Sequence, residues 1–166
     1  MRDAFDRFTA DPPKEELSAT SPTDGFCGVF HELVFEHRQI VALIERVSKQ
    51  EPHRLLEAWP ELSEMLINHE RAERLHVYPA LHAFPSMSNQ LQEHSKEVGA
   101  LETMISQMGP LSLAADDWAL SFSRLAELFK QHVQEEEVQV FPRAQDLLGK
   151  DRCEQLSRER STRKQE

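Results

Sequence analysis

From Gly28 onward the apolar residues recur at steps of three and four. Phe30, Leu33, Val34, His37, Val41 and Ile44 share one stripe, which is the period of a helix face. Pro52 ends that helix or sits in the first turn of the next. A second stripe runs through Leu55, Leu62, Met65, Leu66, His69, Glu73 and His76, with Pro60 an early kink and Pro79 and Pro85 bracketing its end. Ser86 and Ser88 stand where a third helix is capped, and Met87, Leu91, His94, Val98, Leu101 and Ile105 share its face. Gly109-Pro110 breaks it. Asp116 or Asp117 opens a fourth helix that aligns Phe122, Leu125, Leu128, Phe129, His132 and Glu136, and Gly149 closes it. No segment sustains the period-two alternation of a strand. Helices joined by short breaks pack against their sequence neighbours in opposite directions, so the pattern predicts an all-α, antiparallel up-down four-helix bundle. Residues 1–25, with Pro12, Pro13, Pro22 and the loop composition of Ser18–Asp24, read as an N-terminal arm. Residues 26–149 form the bundle, and residues 150–166 a charged tail that is a short helix or frays.

The stripes contain a repeat. In His69…Glu73…Val77-Tyr78-Pro79 and His132…Glu136…Val140-Phe141-Pro142 the glutamate lies four after the histidine, the valine eight, the aromatic nine and the proline ten. Glu36-His37…Val41…Ile44-Glu45 matches Glu93-His94…Val98…Leu101-Glu102 in the same way. His94 follows His37 by 57 residues and His132 follows His69 by 63. The chain is a helical hairpin used twice. Each odd helix offers one histidine, and each even helix a histidine and a glutamate.

That spacing carries chemistry. Residues i and i+4 lie on one helix face, about 6 Å apart along the axis. His69 and Glu73 therefore point into one cavity, and so do His132 and Glu136. All sit within otherwise apolar stripes, where an unsatisfied imidazole costs about 1–3 kcal/mol and an unpaired carboxylate more. Bound metal satisfies all six groups at once. Neutral imidazole and carboxylate suit iron, manganese or zinc. The donor count fits two ions: two bridging glutamates give one oxygen to each, and two histidines complete each half. The spacing leaves open which histidine serves which ion.

Composition narrows the setting. The chain has 166 residues, eight histidines, two cysteines and a net charge of -10. Two cysteines are too few for a disulfide framework or a thiolate zinc site. The acidic balance argues against nonspecific nucleic-acid binding. The absence of a long apolar run, and a start at Met1-Arg2-Asp3, predict neither a membrane partner nor a secretory leader, and so a cytoplasmic protein.

The set His37, His69-x-x-x-Glu73, His94 and His132-x-x-x-Glu136, with the trailing Tyr78-Pro79 and Phe141-Pro142, resembles the hemerythrin-like (HHE) cation-binding domain family. The resemblance covers about residues 26–149. It implies a non-haem di-iron centre, two iron ions bridged by oxide or hydroxide, with those six residues as ligands; manganese or zinc remains compatible with the donors. Oxygen-carrying hemerythrins have a second histidine four after the third-helix histidine, where this chain has Val98. The resemblance is therefore to the four-His, two-Glu regulatory type with more open coordination. It implies a protein that binds or senses oxygen, nitric oxide or peroxide. The alternatives are a di-iron enzyme or repair factor that reduces peroxide or nitric oxide or donates iron, and a metal-dependent regulatory or storage module. Whether the chain is an enzyme, and which protein partner it has, is left open.

Other residues complete the expectations. His76 and Gln139 each lie seven after a site histidine and are expected in a polar pocket beside the metals. Glu70 and Glu137 are one residue along from site positions, about 100° around the helix, and are expected in solvent or paired with Arg71 and Arg74, with a role as an extra ligand the alternative. By the same arithmetic Tyr78 falls off the site face. His31, His53 and His82 are expected at the surface, and Cys27 as a bland thiol, with redox activity near the start of the first helix the alternative.

Overall fold

A computed structural model describes residues 25–109 and 115–163. The N-terminal arm, apart from Gly25, lies outside the described residues, as does Pro110. Among the described residues there are helices and no strands. The helices are α1 (Gly28–Val47), α2 (Pro52–Ala72), α3 (Tyr78–Leu81), α4 (Ser88–Gln107), α5 (Ala115–Glu135), α6 (Phe141–Leu148) and α7 (Lys150–Arg163). Pro52 opens α2, as its fixed φ and missing N–H allow. Neither Ser86 nor Ser88 caps α4. A 3₁₀ turn over Pro85–Met87 leads into it, and Met87 stands at the N-cap without a side-chain bond.

Both halves contain a feature that periodicity does not reveal. Between α2 and α3, Glu73–Val77 form a π-helical turn, and between α5 and α6, Glu136–Val140 form another. The backbone N–H of Tyr78 reaches Glu73 O, and that of Phe141 reaches Glu136 O, each spanning five residues. Pro79 and Pro142 follow directly. A proline ring in a regular helix collides with the carbonyl four residues back and removes a donor. One extra residue in the preceding turn relieves that collision.

Two apolar clusters fill the interior. One gathers Ile40, Ile44, Leu62, Leu66, Leu101 and Phe129 with their neighbours, and in it Trp59 and Trp118 meet edge to face. The other gathers Phe30, Leu33, Val77, Leu81, Leu91 and Phe141 with their neighbours. α1 and α4 each pass from one cluster to the other, as do the α2–α3 and α5–α6 segments, and the histidines lie at the crossing point. Phe30, Phe129 and Phe141 are fully buried, and truncating any one to alanine costs about 3–5 kcal/mol.

The tail beyond Gly149 is an ordered helix. Gly149 takes φ 74 and ends α6, and α7 then packs along α1. Cys153, Leu156 and Arg160 are its buried positions, spaced three and four apart. Leu156 joins the second cluster, Ser157 hydrogen-bonds Glu32, and Arg160 pairs with Glu36.

Candidate metal centre

His37 of α1, His69 at the end of α2, His94 of α4 and His132 at the end of α5 are all at most 2% exposed, and Glu73 and Glu136 are fully buried. Their donor atoms form two groups, each with all atoms within 4.8 Å of one another. One is His37, His69, Glu73 and Glu136; the other is His94, His132, Glu73 and Glu136. The two glutamates are common to both. The grouping sets His37 beside His69 and His94 beside His132.

All four imidazoles have the same orientation. Each turns Nε2 inward: His37 Nε2 lies 3.0 Å from Glu136 Oε2, His69 Nε2 3.3 Å from Glu73 Oε1, His94 Nε2 2.6 Å from Glu136 Oε1, and His132 Nε2 3.5 Å from Glu136 Oε2. Each turns Nδ1 outward to a carboxylate. His37 Nδ1 donates to Glu137 Oε1 at 3.0 Å, and His69 Nδ1 to Glu36 Oε2 at 3.1 Å. Glu97 Oε2 stands 3.7 Å from His94 Nδ1 and 3.8 Å from His132 Nδ1. At His37 and His69 the outer carboxylate holds Nδ1–H and so fixes the tautomer that leaves Nε2 a free lone pair; Nδ1 of His94 and of His132 faces Glu97 without a hydrogen bond.

The interior is short of hydrogen bonds. None of the four Nε2 atoms has one, nor do Glu73 Oε1 or either oxygen of Glu136. Orphaned groups in such number are costly unless something else satisfies them. Protonation without a cation is equally strained. Burial works against an ionised Glu73, but the adjacent imidazoles of His69 and His94 hold its carboxyl well below the usual range. Burial, and then the charge of Glu73, push Glu136 well above it. Burial lowers His69 too, yet Glu36 and Glu73 outweigh it and raise the imidazole to about 10, whereas burial carries His37 down to about 4. Two buried carboxylates at one depth cannot both ionise without positive charge between them. Cations held by imidazole nitrogen and carboxylate oxygen, with no thiolate, fit this donor set.

Several residues depart from the sequence expectations. Glu70 is not in solvent. It is 1% exposed, its Oε1 lies 3.2 Å from His132 Nε2, and neither oxygen has a hydrogen bond. Glu137 is not a surface group either; it bridges His37 Nδ1 to Arg38 Nη2, the latter at 2.5 Å. Tyr78 is buried, with its hydroxyl 3.4 Å from Glu73 Oε2 and its ring 5.7 Å from that of His94. Gln139 is exposed. His76 is half-buried and lines a cavity of about 780 Å³ with Glu36, His69, Ala72 and Arg160. His76 thus stands in a polar cavity beside His69, whereas Gln139 gives no counterpart in the other half. The π turns explain these shifts: positions counted across the extra residue rotate by one place, so Tyr78 swings in and Gln139 swings out. His31, His53 and His82 are exposed as expected.

The ring of partners extends to α7. Arg160, only 3% exposed, pairs through Nη2 with Glu36 Oε1, and Glu36 Oε2 accepts from His69. Arg160 Nη1 stands 3.6 Å from Glu32 Oε2. On the opposite side Phe141 stacks on His37, rings 9° from parallel with centroids 5.6 Å apart, and closes the site toward the second apolar cluster.

No curated protein and no solved structure matches the chain. The family model of the hemerythrin HHE cation-binding domain matches residues 28–144, which takes in α1 through the first half of α6 and all six buried donors. On that match, and with the four inward-facing histidines and two shared glutamates already in place, the chain belongs to the hemerythrin HHE cation-binding domain family.

Proposed function

We propose that this chain holds two iron ions, one in each donor group, and uses them to bind or sense oxygen, nitric oxide or peroxide. The observation that carries the reading is the common orientation of the four histidines, with Nε2 toward shared carboxylates and Nδ1 toward outer carboxylates. A core of satisfied histidines has no need of that arrangement, whereas metal ligation requires it. Iron in such a site supplies Lewis acidity and electrons for small inorganic molecules. The residues supply the frame: Glu73 and Glu136 would be shared by the two ions, Glu137 and Glu36 hold the imidazoles of His37 and His69, and the clusters on either side exclude water.

The two halves are unequal. Glu70 would add a carboxylate only to the His94/His132 group. The cavity beside His69 lies on the other side, and we place small-molecule binding there. The Tyr78 hydroxyl meets Glu73 Oε2 beside His94. The antiparallel up-down topology is part of the same reading. Its support is the order in which α1 and α4 meet the second cluster before the first, while the α2–α3 and α5–α6 segments meet them in reverse.

Elemental analysis of protein purified without added metal, together with its optical spectrum, tests the centre. Two irons per chain and the absorption of oxo- or hydroxo-bridged ferric iron are expected; zinc, or no metal, refutes iron. Rapid mixing of the reduced protein with oxygen, nitric oxide and peroxide tests the role. A stable adduct supports binding or sensing, whereas continuous consumption of peroxide or nitric oxide makes the chain an enzyme.

A further inference from the structure

The chain's two cysteines are 126 residues apart in sequence and meet in space. Cys27 stands at the N-cap of α1, and Cys153 lies in the first turn of α7. The contact is built by the residue between them. Gly28 takes φ +54, and a Cβ placed on it would overlap the carbonyl carbon and oxygen of Cys153. Only a residue without a side chain lets the two backbones approach so closely, and this brings Cys27 against Cys153. The approach is secured from the other side as well. The Cys27 N–H donates to Gln145 Oε1 at 2.8 Å, and Gln145 Nε2 donates to Gly25 O at 2.8 Å. Cys27 packs against the apolar cluster that contains Cys153. Both are reduced, Cys27 half-buried and Cys153 fully buried.

We propose that Cys27 and Cys153 form a dithiol–disulfide couple, oxidised by hydrogen peroxide, that staples α7 to the start of α1. Cys27 is the residue that solvent reaches, so it reacts first. Its thiolate attacks one peroxide oxygen, the O–O bond breaks, and the departing hydroxide takes up a proton to leave as water. Cys27 is now a sulfenic acid. The sulfur of Cys153 displaces the hydroxyl from it, the S–S bond forms, and that hydroxyl leaves with the Cys153 proton as a second water. Two thiols and one peroxide become one disulfide and two waters; each sulfur loses one electron and each peroxide oxygen gains one. Burial and the neighbouring sulfur push the Cys153 thiol up to about 12, which keeps it protonated and unreactive toward oxidant until Cys27 presents it with an electrophile. The couple is separate from the metal centre, but α7 carries Arg160. The crosslink therefore fixes the helix that reaches Glu36 and, through it, His69.

The full-length chain as purified is titrated with hydrogen peroxide, quenched, and measured intact without reductant. The expected result is a chain lighter by two hydrogens, monomeric, with free thiols falling from two to none and restored by dithiothreitol. Its urea midpoint rises, because the bond closes a long loop in the unfolded chain. A sulfenic-acid trap then labels Cys27 in Cys153→Ser and leaves Cys153 unlabelled in Cys27→Ser. A stable sulfinic acid on Cys27 with Cys153 still a thiol overturns the proposal, and so does crosslinking between chains. The wild-type mass and thiol count decide the matter even if either variant fails to fold.

Discussion

Replacing Arg160 with methionine asks how firmly α7 supports the site. The guanidinium is 3% exposed and pairs with Glu36, which accepts from His69. Burial alone would raise the Glu36 carboxyl, but His69 and Arg160 turn it down to about 2 from its ordinary 4.5. A depression of that size corresponds to about 3 kcal/mol. His69 shares the credit, and the side chain of Glu36 is 23% exposed. Arg160's part is then about 1–2 kcal/mol after screening. Methionine keeps the apolar stem against α1, so the loss is that of the charge. Urea unfolding of chelated protein near pH 7 should show Arg160→Met less stable by that amount, a fall in Tm of about 3–6 °C for a chain of this size. The sign with pH follows from a depressed carboxyl. Its contribution is complete above 4.5 and drains away as pH falls toward 2, so the gap between wild type and variant should narrow at about pH 3. Glu36→Gln and the double variant complete the cycle. If the two single losses add within about 0.3 kcal/mol, or the gap is the same in acid, the Arg160–Glu36–His69 chain is not a unit.

Three further outcomes follow from the same coordinates. Glu73 belongs to both donor groups, so Glu73→Ala should retain fewer than two ions per chain by elemental analysis; two ions would exclude a bridging role. In the metal-free chain His69 is raised to about 10 from 6.5, so its stabilisation is complete below 6.5 and is lost as pH rises through 10. The urea midpoint should fall across that window, and an equally steep fall in His69→Gln would refute the assignment. Gly28→Ala forces a Cβ into the Cys153 backbone at positive φ and should cost about 2–4 kcal/mol by thermal melting; a loss below about 0.5 kcal/mol would contradict the close approach.

The helices and the six buried donors were legible because both rest on period. His69 and Glu73, or His132 and Glu136, share a face by spacing alone, and apolar neighbours said that face was interior. Glu70 was not legible by the same rule. A residue about 100° from the stripe is exposed on a helix with one buried side, but the end of α2 lies against α1, α4 and α5, so its buried arc is wide enough to hold Glu70 as well. Tyr78 and Gln139 were misplaced because a π turn is a matter of backbone hydrogen bonding that no single side chain encodes. The signal was present in Pro79 and Pro142, each ten residues after a site histidine within a run that otherwise reads as helix; such a proline demands relief in the turn before it. Arg160 was hidden by composition, since a charged helix with Leu156 as its visible apolar residue reads as solvated.

Each donor group takes three members from one hairpin and a glutamate from the other. Neither leaf of the molecule owns a finished socket. On the proposed loading the cations act as rivets through a hinge, and filling them is an act of assembly as much as of cofactor uptake. A polypeptide nicked between its two leaves should stay joined while charged with metal and come apart under a chelator.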